Sequence, residues 1–195
     1  MSKILLDYDS TLVASDKLRL QWVNERFGSN YKIEEITNWF MDYTEEEETF
    51  MWGSECFLNA DFQAACEPVD GALEGVKALI DYDYKITVVS DRPIELYDPT
   101  RKWIDNHGLS HIELIFTHNK MSMSTDSSEL MTKMQVAYLK KLKIVIEDAP
   151  HHAERFAEKE YIDRILLLDR PYNQEVSHEK ITRACCWADI VRELT

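Results

Sequence analysis

Two carboxylates spaced i, i+2 close an apolar run near the start of the chain, Ile4-Leu5-Leu6-Asp7-Tyr8-Asp9-Ser10-Thr11-Leu12. Acids recur as Glu147-Asp148 behind Ile144-Val145-Ile146, and a hydroxyl, Ser90, follows Ile86-Thr87-Val88-Val89. Four carboxylates gathered at one spot repel one another unless a cation sits among them. A hard ion such as Mg2+ suits those oxygens and keeps positions open for water or substrate. Beside it Asp7 would be close enough to attack a phosphorus atom, with Ser90 donating to a phosphoryl oxygen. For an isolated Asp-x-Asp, a strand followed by an Asx-type turn is the better explanation. Recurrence of acids at later strand ends favours a site.

Such a gathering needs strands that all end on one side. Apolar runs at residues 4–6, 85–89, 114–116, 143–146 and 165–168 are predicted as buried strands. Between them lie helical patterns at Ser15 to Phe27, Ala72 to Tyr82, Glu95 to Asn106, Glu129 to Lys141 and His151 to Lys159. Ala184 to Trp187 is predicted as a short edge strand, followed by a helical turn through Leu194. Continuous rather than alternating apolar strands specify an α/β fold with a mostly parallel, doubly covered sheet and right-handed connections. Asp7, Asp9, Ser90, Glu147, Asp148 and Asp169 would then share one edge. Residues 30–67 carry no strand signal and read as short helices with their own aromatic core, including Trp39, Phe40, Trp52, Phe57 and Phe62. The predicted organisation is a core domain of residues 1–15 and 68–195, with residues 16–67 as a small helical cap over the end of the first strand. The acidic run Glu45 to Glu48 reads as a solvated surface.

The chain has 195 residues, ample for one large domain, with 36 acidic and 22 basic side chains and a formal charge of -14. This surface disfavours nucleic acid and anionic membranes as partners. An anionic substrate would need local positive charge from a metal, a lysine and helix N-termini. No run reaches transmembrane length and no signal peptide is recognised, so a cytoplasmic location is expected. The four cysteines, Cys56, Cys66, Cys185 and Cys186, lack zinc-site spacing and are expected to be reduced thiols. His107, His111, His118 and His178 likewise lack metal-ligand spacing.

The segments Asp7-Tyr8-Asp9-Ser10-Thr11, Val89-Ser90 and Ile146-Glu147-Asp148 resemble the first, second and fourth motifs of the haloacid dehalogenase-like phosphatases. Within that superfamily the chain is most similar to the small 5′(3′)-deoxyribonucleotidases and the bacterial and phage nucleotidases grouped with them. The likeness extends to the helical cap, to Glu147-Asp148-Ala149-Pro150-His151-His152-Ala153, to Asp169-Arg170-Pro171-Tyr172-Asn173 and to Trp187. It implies a Rossmannoid three-layer sandwich and a Mg2+-dependent phosphomonoesterase of nucleoside monophosphates. Asp7 would form an aspartyl-phosphate, and Asp9 would protonate the leaving oxygen and later activate water. Asp7, the Asp9 carbonyl and Asp148 would hold the metal. Glu147, where many members have Asp, would hold a metal-bound water.

The resemblance also requires a lysine. Lys133, fourteen residues before Glu147, matches the bacterial spacing of the third motif, whereas Lys120 in Thr117-His118-Asn119-Lys120 matches the mammalian arrangement. Lys133 is preferred, since a helix start is a firmer platform than a loop. Arg92 could contact phosphate or pair with a nearby acid. Asp91 reads as a turn or helix-cap residue, His151 and His152 as helix residues beside the metal motif rather than catalysts, and Trp187 as packing. The cap leaves sugar phosphates as rival substrates. A polynucleotide-end phosphatase or an inactive binding domain fits less well, and the chain could act alone or as a homodimer.

Overall fold

Ile4, Leu5 and Leu6 have no exposed surface, because the first strand, β1 (Lys3–Leu6), is covered on both faces. Period two sends Ile4 and Leu6 into one core and Leu5 into another. A computed structural model describes residues 2–38, 43–117 and 131–195 of the chain. Its other strands are β2 (Lys85–Ser90), β3 (Glu113–Phe116), β4 (Ile144–Glu147), β5 (Arg164–Leu168) and β6 (Ile181–Ala184). They form one sheet in the order β3-β2-β1-β4-β5-β6, with every neighbouring pair parallel.

The helices are α1 (Ser15–Phe27), α2 (Glu45–Trp52), α3 (Ala60–Ala65), α4 (Ala72–Asp81), α5 (Tyr97–Asn106), α6 (Lys133–Lys140), α7 (Pro150–Ala157) and α8 (Trp187–Leu194). Val76 and Leu79 of α4, Trp103 and Ile104 of α5, and Trp187 and Ile190 of α8 pack with Ile4 and Leu6. Val136 and Ala137 of α6, with Ala153 and Phe156 of α7, pack with Leu5 on the opposite face. The result is a three-layer α/β sandwich. From β1 the chain runs outward to β2 and β3, then returns to place β4 on the other side. The order reverses between β1 and β4, and a crevice at such a switch point binds ligands in open α/β sheets. Asp7 and Glu147-Asp148 stand at those two strand ends.

The expected edge strand at Ala184 to Trp187 is corrected. Pairing with β5 runs from Ile165–Ile181 to Leu168–Ala184, while Trp187 opens α8 and is buried. A one-residue Cβ at Gly75 would lie 2.5 Å from the Trp187 ring, so α4 and α8 meet through a glycine. The predicted helix at Glu95 begins as a 3-10 turn, Ile94–Leu96, before α5. That predicted from Glu129 begins, among the described residues, at Lys133.

Segment 16–67 carries α1, α2 and α3, joined by a 3-10 turn at Ile33–Glu35. Gly28, at φ 69°, stops α1 in the left-handed region. Edge-to-face pairs Trp22–Phe62, Phe27–Phe50 and Trp52–Phe57 link its aromatics. Trp39 and Phe40 lie outside the described residues. Glu47 corrects the reading of residues 45–48 as solvated: it is 5% exposed and accepts from Ser29, Tyr31 and Thr44. The chain leaves and rejoins the main body side by side, with Ala14 N–H donating to the Glu67 carbonyl at 2.9 Å and Val69 N–H to that of Leu12 at 2.9 Å. We propose the domain boundary there. Among the described residues no helix is long and apolar enough to cross a membrane.

Candidate active site

Beyond Leu6 the chain turns sharply. Asp7 N–H still donates to the Ile146 carbonyl at 3.0 Å, while Leu12 and Val13 N–H both reach back to the Tyr8 carbonyl at 2.9 Å. Ser10 takes φ 57° to close this turn. Tyr8 drops into the core against Trp103, leaving Asp7 and Asp9 on separate courses.

Asp7, Glu147 and Asp148 are buried, and each offers an oxygen within 4.8 Å of the others. Lys133 enters the group from the first turn of α6. Its Nζ is 2.5 Å from Asp7 Oδ1 and 3.2 Å from Glu147 Oε2. Thr132 caps that helix, accepting from Gln135 N–H while the Gln135 side chain accepts from Thr132 N–H. A fixed helix start therefore carries the lysine. Lys120 and His118 lie outside the described residues.

Asp148 is gripped by neutral donors, Thr11 Oγ1 at 2.8 Å on Oδ1 and the Tyr172 hydroxyl on Oδ2. Glu147 instead takes Lys133 on Oε2 and the Ala149 N–H at 3.2 Å on Oε1. Burial followed by the Glu147 charge raises Asp148 to about 7 and drives Asp7 well above the usual carboxylate range, against the pull of Lys133. Burial works against ionised Glu147 too, but Lys133 and His152 outweigh it and hold Glu147 at about 2. Burial disfavours the Lys133 ammonium, yet Asp7, Glu147 and Asp91 hold it charged. Two carboxylates at this spacing repel by roughly 3 kcal/mol or more at an effective dielectric near 20. One ammonium leaves three acids net negative, so the group retains a proton or accepts a cation. This all-oxygen donor set fits a divalent metal.

Asp9 is not in that group. Arg92 grips its carboxylate with Nε at 2.8 Å and NH2 at 2.6 Å, and Ser15 Oγ donates at 2.6 Å. Burial would raise Asp9, but Arg92 and Ser15 hold it below its ordinary value. Of the alternatives left open for Arg92, the structure therefore has it paired with an acid. Ser90, at the end of β2, accepts the Arg92 N–H at 3.3 Å, and a hydroxyl that accepts still has its proton to give. Asp169, at the end of β5, pairs with Arg183 at 2.8 Å, apart from the acidic group.

Sequence reasoning passed over three contributors. Asp91 is not a cap residue: it meets His152 Nε2 at 3.1 Å and accepts from Thr117 Oγ1. His152 Nδ1 in turn lies 3.2 Å from Lys133 Nζ, completing a buried line from Asp91 to the lysine. Burial and Lys133 lower His152, but Glu147 and Asp91 prevail and raise it to about 9. His151 beside it is held down to about 4 by burial and by His152. Position in the helix after Glu147-Asp148 was the available signal for His152. Tyr172, whose hydroxyl supports Asp148, had only its place in a motif-like turn.

Comparison with known proteins decides the family. The family described as 5′ nucleotidase, deoxy (pyrimidine), cytosolic type C protein matches residues 1–194. The chain belongs to this family. With its Asp-centred acidic group, it is a haloacid dehalogenase-like phosphomonoesterase. No curated protein matches it by sequence. Among solved structures, a predicted phosphatase from Clostridium acetobutylicum is 13% identical with a TM-score of 0.63, over 99% of this chain and 97% of that one. A superfamily hydrolase from Ehrlichia chaffeensis is 14% identical at TM-score 0.58, over 100% and 97%. A phosphoserine phosphohydrolase-like protein from Francisella tularensis is 19% identical at TM-score 0.57, over the whole of both chains. At these identities the likeness is one of fold.

Proposed function

We propose that this family member is a Mg2+-dependent nucleotidase that hydrolyses nucleoside monophosphates through an aspartyl-phosphate on Asp7. The contact of 2.5 Å between Lys133 Nζ and Asp7 Oδ1, inside the acidic group, is the observation that carries the chemistry. The family's description as a deoxy (pyrimidine) 5′ nucleotidase supports the substrate class.

An Asp7 oxygen attacks phosphorus and the bond to the ester oxygen breaks; Asp9, ionised beside Arg92 in the free site, first takes a proton from solvent or from a singly ionised ester and then delivers it to the departing alcohol. Water then attacks the acyl phosphate, Asp9 takes its proton, and phosphate leaves with Asp7 restored. Lys133 orients Asp7 and lowers its repulsion from the anionic ester, while Ser90 donates to a phosphoryl oxygen. Asp7, the Asp9 carbonyl and Asp148 would hold the metal, with Glu147 adjacent. A bound Mg2+ supplies charge neutralisation for the transferring phosphoryl group. The substrate is a small phosphomonoester, and neither nucleic acid nor a membrane is needed as partner.

A phosphate-release panel of nucleoside monophosphates and sugar phosphates, with and without Mg2+, tests this reading. Release from nucleotides that depends on Mg2+ and disappears in Asp7→Asn is expected. Preference for a sugar phosphate would overturn the substrate, and an active Asp7→Asn enzyme would overturn the intermediate.

A further inference from the structure

Arg92 is almost wholly buried, and four of the five N–H groups of a guanidinium are engaged here. Two go to the Asp9 carboxylate, and NH1 reaches Gln63 Oε1 and Thr100 Oγ1, the latter at 3.1 Å. The guanidinium carbon stands 4.5 Å from the centre of the Tyr8 ring and 5.1 Å from that of Phe57. Gln63 belongs to α3 and is itself anchored, donating from Nε2 to the Phe57 carbonyl at 2.5 Å. Arg92 therefore joins three parts of the chain: the turn bearing Asp9, helix α5 through Thr100, and the helical segment 16–67 through Gln63 and Phe57.

We propose that Arg92 is a positioning residue that fixes the Asp9 carboxylate, and that Gln63 makes this hold depend on how α3 packs against the core. A carboxylate gripped by two N–H bonds in a plane has little freedom to rotate. Its oxygens are then directed by the guanidinium, whose own plane is set by two rings and by Gln63. Protonating a leaving oxygen demands placement within hydrogen-bond reach. A shift of α3 that carries Gln63 would thus be passed to the acid with no loop closing over the ester. Arg92 does not reach the phosphoryl group in this role.

The proposal rests on the reading of Asp9 as the general acid, and leaving-group dependence separates the two. Wild type, Asp9→Asn, Arg92→Lys and Gln63→Leu are assayed with Mg2+ on an alkyl phosphomonoester and on 2,4-dinitrophenyl phosphate, whose leaving group needs no proton. Because Asp9 also serves the later water step that both esters share, the rate of leaving-group release in a single turnover is read. General acid catalysis is worth about 100- to 10,000-fold, so Asp9→Asn should lose about that much of this rate on the alkyl ester and far less on the aryl one. Arg92→Lys keeps charge but not the two-bond grip, and should lose roughly 10-fold or more of this release rate on the alkyl ester only, with ester affinity little changed. Gln63→Leu should show the same selectivity at smaller size, and it keeps the proposal testable if Arg92→Lys does not fold. Equal losses of the single-turnover release rate on both esters, or weaker ester binding with an unchanged release rate, would overturn the positioning role. Uniform loss in Asp9→Asn would instead overturn the acid assignment itself.

Discussion

Lys133 and Asp148 do different electrostatic work at the residue scale. Lys133 is the ammonium in direct contact with Asp7, and its charge matters most as the nucleophile meets an anionic ester. Lys133→Ala should lower kcat roughly 100-fold or more, in the range of a lost transition-state donor, with circular dichroism unchanged. A mutant retaining full turnover would exclude this lysine. Glu147 is already satisfied by Lys133 and the Ala149 N–H, whereas the side-chain donors to Asp148 among the described residues are two hydroxyls. Asp148→Asn should therefore weaken Mg2+ binding more than Glu147→Gln. Calorimetric titration of both mutants gives the order directly, and the reverse ranking would reassign the two acids. The acids were legible in the sequence because they end apolar runs. Lys133 is preferred over Lys120 on its place at a helix start; its contact with Asp7 and Glu147 was not legible, since a lysine in a polar context has the same local pattern whether it points inward or to water.

Among the elements, α2 is organised by Glu47. Its carboxylate accepts from the Thr44 N–H and hydroxyl, from Ser29 and from Tyr31, so α2 is tied to the end of α1. Burial opposes the charged form, but these donors hold Glu47 below its ordinary value. A depressed carboxylate stabilises the fold fully above its unfolded pKa, about 4.3 for Glu, and the gain is lost as pH falls through the lower folded value. Glu47→Gln should cost about 1.5–3 kcal/mol at pH 7, the worth of hydrogen bonds to a charged group. Denaturant melts should show the gap to wild type closing below about pH 4; a gap independent of pH would mean that shape rather than charge is responsible. In the sequence only the Thr44-x-x-Glu47 spacing of a capping box sets this glutamate apart from Glu45, Glu46 and Glu48; its bonds to Ser29 and Tyr31 come from chain far off in sequence.

Over the whole molecule, the two ends of the chain meet at the site. Trp187, from the last helix, is 1% exposed, donates from Nε1 to the Thr11 carbonyl at 2.9 Å and presses on Gly75. Thr11 in turn supports Asp148. Trp187→Ala should destabilise by about 3–5 kcal/mol, as buried aromatic truncations do, and should lower Mg2+ affinity in calorimetry. Trp187→Phe should recover much of the stability while still lacking the bond to Thr11. Unchanged stability in Trp187→Ala would contradict this packing.

Local pattern alone determined the α/β class, the parallel sheet and the acidic edge. Unbroken apolar strands require cover on both faces, and parallel strands leave their last residues together. Strand-end residues such as Asp7, Ser90 and Glu147 were therefore readable one segment at a time. Partnership was not. Asp7 and Lys133 are 126 positions apart and Asp9 and Arg92 are 83 apart, distances over which periodicity and turn chemistry carry no information. Tertiary packing decided that Arg92 would turn to Asp9, that His152 would back Lys133 and that Trp187 would reach Thr11. The physical reason is burial: a charge or ring taken from water must find a partner among whatever the folded chain brings beside it.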